Sequence, residues 1–140
     1  MEHFRKLENM YAAAPVNRFY DPALVVEEGR ATVTMEVQDR HHHSGGAMHG
    51  SVYFKLLDDA AWFAVNSLVT ETFVLTARFE VKLKRPVVSG RLRAVGEVTE
   101  RGKVFKARAQ LFDQDDRLVG DGEGDFVRGW APLGPDMHYR

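Results

Sequence analysis

Two periods divide the chain. Near the start, Phe4, Leu7, Met10 and Tyr11 recur at the spacing of one helix face, which predicts a short amphipathic helix that Pro15 ends. After Asp21-Pro22, two short strands are predicted, Ala23 to Val26 and Ala31 to Val37, with Glu28-Gly29-Arg30 turning the chain between them. From Gly50 to about Leu68 the segment is apolar on nearly every face and, past Gly50 itself, free of Gly and Pro, so it reads as a buried helix.

From Thr72 onward the period becomes two. Leu75, Ala77, Phe79, Val81 and Leu83 alternate with Thr76, Arg78, Glu80, Lys82 and Lys84, which predicts one apolar and one polar face on a long strand closed by Pro86. RLRAVGEVTE and VFKARAQLF alternate in the same way around Arg101-Gly102, as a hairpin does. The loop DQDD leads into a last strand, RLVGDGEGDFVRG, where Gly120, Gly122 and Gly124 share one parity and mark a face that another backbone approaches closely. The order predicts an α+β fold: an antiparallel sheet wrapped around one long central helix, with a short N-terminal helix. Its sheet edges would be usefully covered by a partner chain.

Composition narrows the function classes. At 140 residues the chain is read as one domain, 1–140, large enough to bury roughly 68% of its unfolded surface. A formal net charge of -1 calls for no nucleic acid, and the absence of cysteine excludes disulfides, thiol catalysis and zinc-thiolate sites. No apolar run reaches signal-peptide length or the roughly 20 residues of a membrane span, so a cytoplasmic protein without membrane contact is expected.

Asp58 and Asp59 interrupt the otherwise apolar helix. Burying an ionised carboxylate costs several kcal/mol unless it is paired or hydrogen-bonded. Neighbours on a helix lie about 100° apart, so the two cannot share one environment. One reading gives an aspartate a basic partner or solvent at the helix edge; the other makes one of them a catalytic carboxylate in an apolar cleft.

Gly46-x-x-His49-Gly50 opening a helix, Asp58 nine positions after that histidine, and the small-residue-rich AAWFA that follows resemble the hot-dog fold thioesterases of the phenylacetate-pathway (PaaI-like) type. Thr76 stands where that family carries a Ser or Thr on the strand after the helix, Arg85-Pro86 matches its strand-ending proline, and GEGDFV is similar to its final strand. The chain departs from the pattern twice. Ser51 replaces a usual second glycine, and His43 replaces a usual asparagine six residues before His49. The resemblance implies an acyl-coenzyme A thioesterase that needs no cofactor. It also implies a homodimer with composite active sites, paired into a dimer of dimers. Helix geometry agrees with a composite site, because nine residues make about two and a half turns and a rise of about 13.5 Å, leaving His49 and Asp58 facing opposite ways.

On that reading the Gly50 N–H, at the positive end of a helix, polarises the thioester carbonyl; otherwise Gly50 is a turn residue. Asp58 acts as nucleophile or as general base for water. Thr76 hydrogen-bonds the water or the carboxylate, or is an ordinary β-branched strand residue. The segment HHHSGGAMHG stands between a predicted strand and a predicted helix, and consecutive extended residues point to opposite faces. Only His41 and His43 could converge on a metal with His49, so no metal is assigned. His41 and His42 read as solvated loop residues, His49 as fixing the loop or touching the thioester, and His43 as standing where the family asparagine would orient water or substrate. Lys82, Lys84 and Arg85, with Arg101 and Lys103, are the cations available to coenzyme A phosphates. Tyr53, Phe54, Trp62 and Phe63 are core, dimer or acyl-pocket residues. A non-catalytic module that binds an acyl thioester, and a metal-dependent hydrolase using the histidine loop, are the alternatives.

Overall fold

The computed structural model describes residues 2–140. It opens with helix α1 (Glu2–Ala13), which buries Leu7, Met10 and Tyr11 and leaves Phe4 only half covered. Pro15 both ends α1 and starts a 3-10 turn, Pro15–Arg18, that the periodicity did not predict. Strands β1 (Ala23–Glu27) and β2 (Arg30–Val37) form the expected hairpin, each one residue longer than predicted toward the turn, where Gly29 takes φ +70°. Helix α2 (Gly50–Asn66) stops short of Leu68 because Asn66 folds its side chain back, accepting from Val74 N–H and donating to the Val69 and Thr72 carbonyls. Strands β3 (Thr72–Leu83), β4 (Gly90–Glu100), β5 (Val104–Phe112) and β6 (Leu118–Pro132) follow.

All six strands make one antiparallel sheet in the order β1-β2-β4-β5-β6-β3, and α2 packs against every one of them. This is the hot-dog arrangement. The helix lies so close on β4 that a Cβ at Gly96 would run into the Ala60 carbonyl. That approach went unpredicted, whereas the expected backbone approach on β6 comes from β3: a Cβ at Gly124 would run into the Arg78 carbonyl, and one at Gly122 into the Phe79 ring.

The predicted faces of β3 need correction. Thr76 pairs with Phe126 but the next pair is Arg78 with Asp125, so Ala77 is the extra residue of a β-bulge. A bulge shifts the alternation by one. Before it, Val74 is buried and Thr76 reaches toward α2; after it, Phe79 and Val81 pack on the core. Ala77 and Leu83, predicted to be inside, are exposed.

The two sheet edges differ. On β1, the Val26 N–H donates to Glu8 Oε2 and the Val26 carbonyl accepts from Arg5, so side chains of α1 occupy that edge. β3, the other edge, pairs only with β6 and carries exposed Leu83, and farther along it the ring of exposed Phe54 of α2 meets Phe79 edge-on. No helix among the described residues is long and apolar enough to cross a membrane.

Candidate active site

The histidine segment is a built loop. His41 is 1% exposed: its Nδ1 accepts the Gln38 N–H at 2.9 Å, so Nε2 carries the proton and donates to the Phe19 carbonyl at 2.8 Å, with the ring stacked on Tyr20. The expectation that His41 is solvated is therefore wrong, and with both nitrogens committed it has no lone pair for a metal. His42 is half-buried and donates to the Val88 carbonyl, so it too is more than a solvated residue. Among the described residues no three of His, Asp and Glu converge as metal ligands would.

His49 caps α2. Its Nδ1 accepts the Ser51 N–H at 3.0 Å and lies 2.8 Å from the Ser51 hydroxyl, while its own N–H donates to the His41 carbonyl. The Gly50 N–H, next in the chain, has no partner among the described residues. Gly50 lines a cleft of about 400 Å³ together with His43, Tyr53, Leu83, Lys84 and Arg85. His43 is held there by the Gly45 N–H, 2.9 Å from its Nδ1, which leaves Nε2 as the donor of the neutral ring. Lys84 and Arg85 thus share the Gly50 cleft, but Lys82 lines a different, charged depression on the sheet.

Both aspartates line one cleft, against the expectation that they could not share an environment, but they point about 100° apart and take different partners. Asp59 turns into the protein, where its Oδ2 accepts from Lys55 Nζ at 2.7 Å and from the Tyr11 hydroxyl at 2.6 Å. Burial pushes its carboxyl above the usual range, and Lys55 and Tyr11 work against that rise. Tyr11, buried beside Asp59, is held protonated far above the ordinary phenol range. Asp58 instead faces a cleft of about 330 Å³, its Oδ1 accepting from Thr76 Oγ1 at 3.1 Å. Burial, reinforced by the negative charge of Asp59, raises its pKa from 3.8 to about 6, with the Thr76 hydrogen bond and Lys55 acting in the opposite sense. Such a carboxylate is a far better base than an exposed one and is still ionised at neutral pH.

Trp62, Phe63 and Phe73 form the apolar wall of this cleft, and the N-terminal segment closes it with Met10, Tyr11 and Asn17. Asn17 donates to the Tyr11 carbonyl while its Oδ1 is buried without a partner among the described residues. Of these residues Lys55 was legible, sitting four positions before Asp59 on one helix face. Nothing local marked Asn17 or the contribution of α1.

Asp58 and Thr76 therefore share one cleft, Gly50 and His43 share another, and His49 shapes the backbone between loop and helix. Eight residues of α2, about 12 Å of rise, separate Gly50 from Asp58.

Against known proteins, the family model of the thioesterase superfamily matches residues 45–120. No curated protein matches the sequence. Among solved structures, the chain is similar to the PaaI protein of the Escherichia coli phenylacetic acid degradation operon, with 20% identity over 95% of this chain and 97% of that one and a TM-score of 0.85. A conserved protein of Pseudomonas aeruginosa is similar at 25% identity, covering 83% of this chain and 94% of that one with a TM-score of 0.77. A Haemophilus influenzae thioesterase follows at 17% identity, 86% and 87% coverage and a TM-score of 0.76.

Proposed function

The chain belongs to the thioesterase superfamily, and from that premise we propose that it hydrolyses an acyl- or aryl-coenzyme A thioester to the free acid and coenzyme A, in a site completed by a second copy. The observation that carries this reading is Asp58: a carboxylate with its pKa raised to about 6, hydrogen-bonded by Thr76 in a largely apolar cleft, while its neighbour Asp59 is paired with Lys55.

The thioester carbonyl accepts a hydrogen bond from the Gly50 N–H, whose position at the start of a 17-residue helix favours the negative charge that develops on oxygen. Asp58 of the other copy either removes a proton from water as that water attacks the carbonyl carbon, or attacks the carbon itself to give a mixed anhydride that water then cleaves. In both routes the C–S bond breaks and its electron pair leaves on sulfur. A thiol with a pKa of about 8.5 departs without a strong general acid. The acyl group lies among Trp62, Phe63 and Phe73, and Lys84 and Arg85 meet the phosphates at the Gly50 cleft.

Two features support assembly into a dimer. Gly50 and Asp58 open onto separate clefts of one chain, and the β3 edge is open where the β1 edge is closed by α1. A two-fold axis at β3 brings the loop of one copy to the carboxylate of the other.

The test is release of free thiol from aryl, short-chain and medium-chain acyl-coenzyme A, by wild type and Asp58→Asn, before and after chelator. Hydrolysis that survives chelator and disappears in the variant is expected. Wild-type turnover by Asp58→Asn refutes the assignment; thioester binding without turnover by any form points to the non-catalytic module.

A further inference from the structure

The Asp58 cleft holds two charged groups that the proposed reaction does not use. Lys55 and Asp59 both line it, three residues before and one after Asp58, with side chains 14% and 17% exposed. Their positions are fixed. Lys55 Nζ is 2.7 Å from Asp59 Oδ2 and 5.2 Å from the ring centres of both Tyr11 and Tyr20, and the Tyr11 hydroxyl donates to the same carboxylate oxygen at 2.6 Å. Stability is no account of this arrangement, since a buried ion pair adds little over well-packed apolar residues of the same volume. The titratable and charged groups facing Asp58 are Lys55 and Asp59 of α2 and Tyr11 of α1, with Tyr20 behind Lys55; from β3 comes only the neutral hydroxyl of Thr76.

Resting on the reading of Asp58 as base or nucleophile, we propose that Asp59 and Lys55 are positioning residues that set the pH at which Asp58 works, Asp59 favouring its protonated form and Lys55 its ionised form. Without Asp59 alone the carboxylate would be a weaker base, and without Lys55 alone it would stay protonated nearer neutrality; the opposed charges hold it between those limits. Tyr11 fixes the geometry of both from the N-terminal helix, so docking of α1 is part of the device.

The experiment measures kcat/KM against pH for thiol release, together with the carboxyl NMR titration of Asp58, in wild type, Asp59→Asn, Lys55→Met and the double variant. Removing the negative neighbour moves the midpoint down by roughly one pH unit, so activity at pH 5 relative to pH 8 rises about fivefold. Removing the positive one moves it up by a similar amount, and activity at pH 6 relative to pH 8 falls about fivefold. The double variant leaves no buried charge unpaired, which guards against a single variant that fails to fold. Its midpoint lies between those of the two single variants. Single variants that shift in the same direction, or not at all, overturn the proposal, as does a double variant whose midpoint falls outside the range the singles set. Asp58→Asn assayed alongside separates the two claims: full activity there removes the reading of Asp58 itself.

Discussion

Replacing Asp58 by Asn is expected to make the protein more stable as it makes it inactive, and only above a certain pH. In the folded chain the carboxyl titrates at about 6, against the ordinary value of 3.8 that the unfolded chain restores. The native state therefore holds this proton more tightly than the unfolded state. The carboxyl is nearly without cost below about pH 3.5; between about pH 4 and 6 the unfolded chain ionises while the folded chain still holds its proton, so stability is lost across that window and levels off once the folded carboxyl ionises above 6. At about 1.4 kcal/mol per unit the full penalty at pH 8 is at most about 3 kcal/mol, and the solvent that reaches the partly open side chain brings the expected value to about 1–2 kcal/mol. Asparagine has the same shape, can still accept from Thr76 Oγ1, and is neutral at every pH. Urea unfolding at pH 4.5, 6 and 8, at one protein concentration, reads the difference directly. The variant should exceed wild type by roughly a third of the full difference at pH 4.5 and by nearly all of it at pH 6, with little further gain at pH 8, and thiol release should be down at least about a hundredfold. A stability difference that stays constant across this range refutes the picture of a carboxylate held ionised against its surroundings.

Other perturbations follow from the same geometry. Thr76→Val removes a hydrogen bond that favours the ionised carboxylate, so the acid limb of the kcat/KM profile, expected near pH 6, moves upward. Gly50→Pro deletes the candidate oxyanion donor at a helix position that tolerates proline. If sites are shared between copies, mixing inactive Gly50→Pro with inactive Asp58→Asn in equal amounts restores about a quarter of wild-type turnover, and a mixture as dead as its parts argues against a composite site. Gly96→Ala forces the α2 backbone off β4 at the Ala60 carbonyl and should cost about 1–3 kcal/mol of stability by thermal unfolding, whereas Gly102→Ala, whose added methyl would meet only the Val104 carbonyl at an ordinary 3.6 Å, should not.

The fold was legible because its signals are periodic. The alternation through β4 and β5, the apolar run of α2, and the glycine and proline breaks between them each survive in the structure nearly residue for residue. What escaped the periodic reading was non-local. Nothing in TFVLTARFEV announces that Ala77 bulges out, yet that one extra residue is what turns Thr76 toward Asp58 and seats Phe79 over Gly122 and Gly124. His41 escaped for the same reason: its partners, Phe19 and Tyr20, lie about twenty residues away, and only the folded chain makes a solvated-looking histidine into a core residue.

The aspartate pair marks the boundary between what spacing decides and what packing decides. Two adjacent carboxylates on an apolar helix point about 100° apart and so take different partners, even where, as here, both reach one cleft. Which of them is the spare one depends on what else reaches the helix. Lys55, one turn before Asp59, could have been assigned as its partner from sequence; Tyr11, from another element 48 residues away, could not. Once Tyr11 and Lys55 have claimed Asp59, Asp58 is left in a cleft whose only hydrogen-bond donor to it is Thr76, among the described residues. The chemistry proposed for Asp58 is thus a consequence of how completely its neighbour is satisfied.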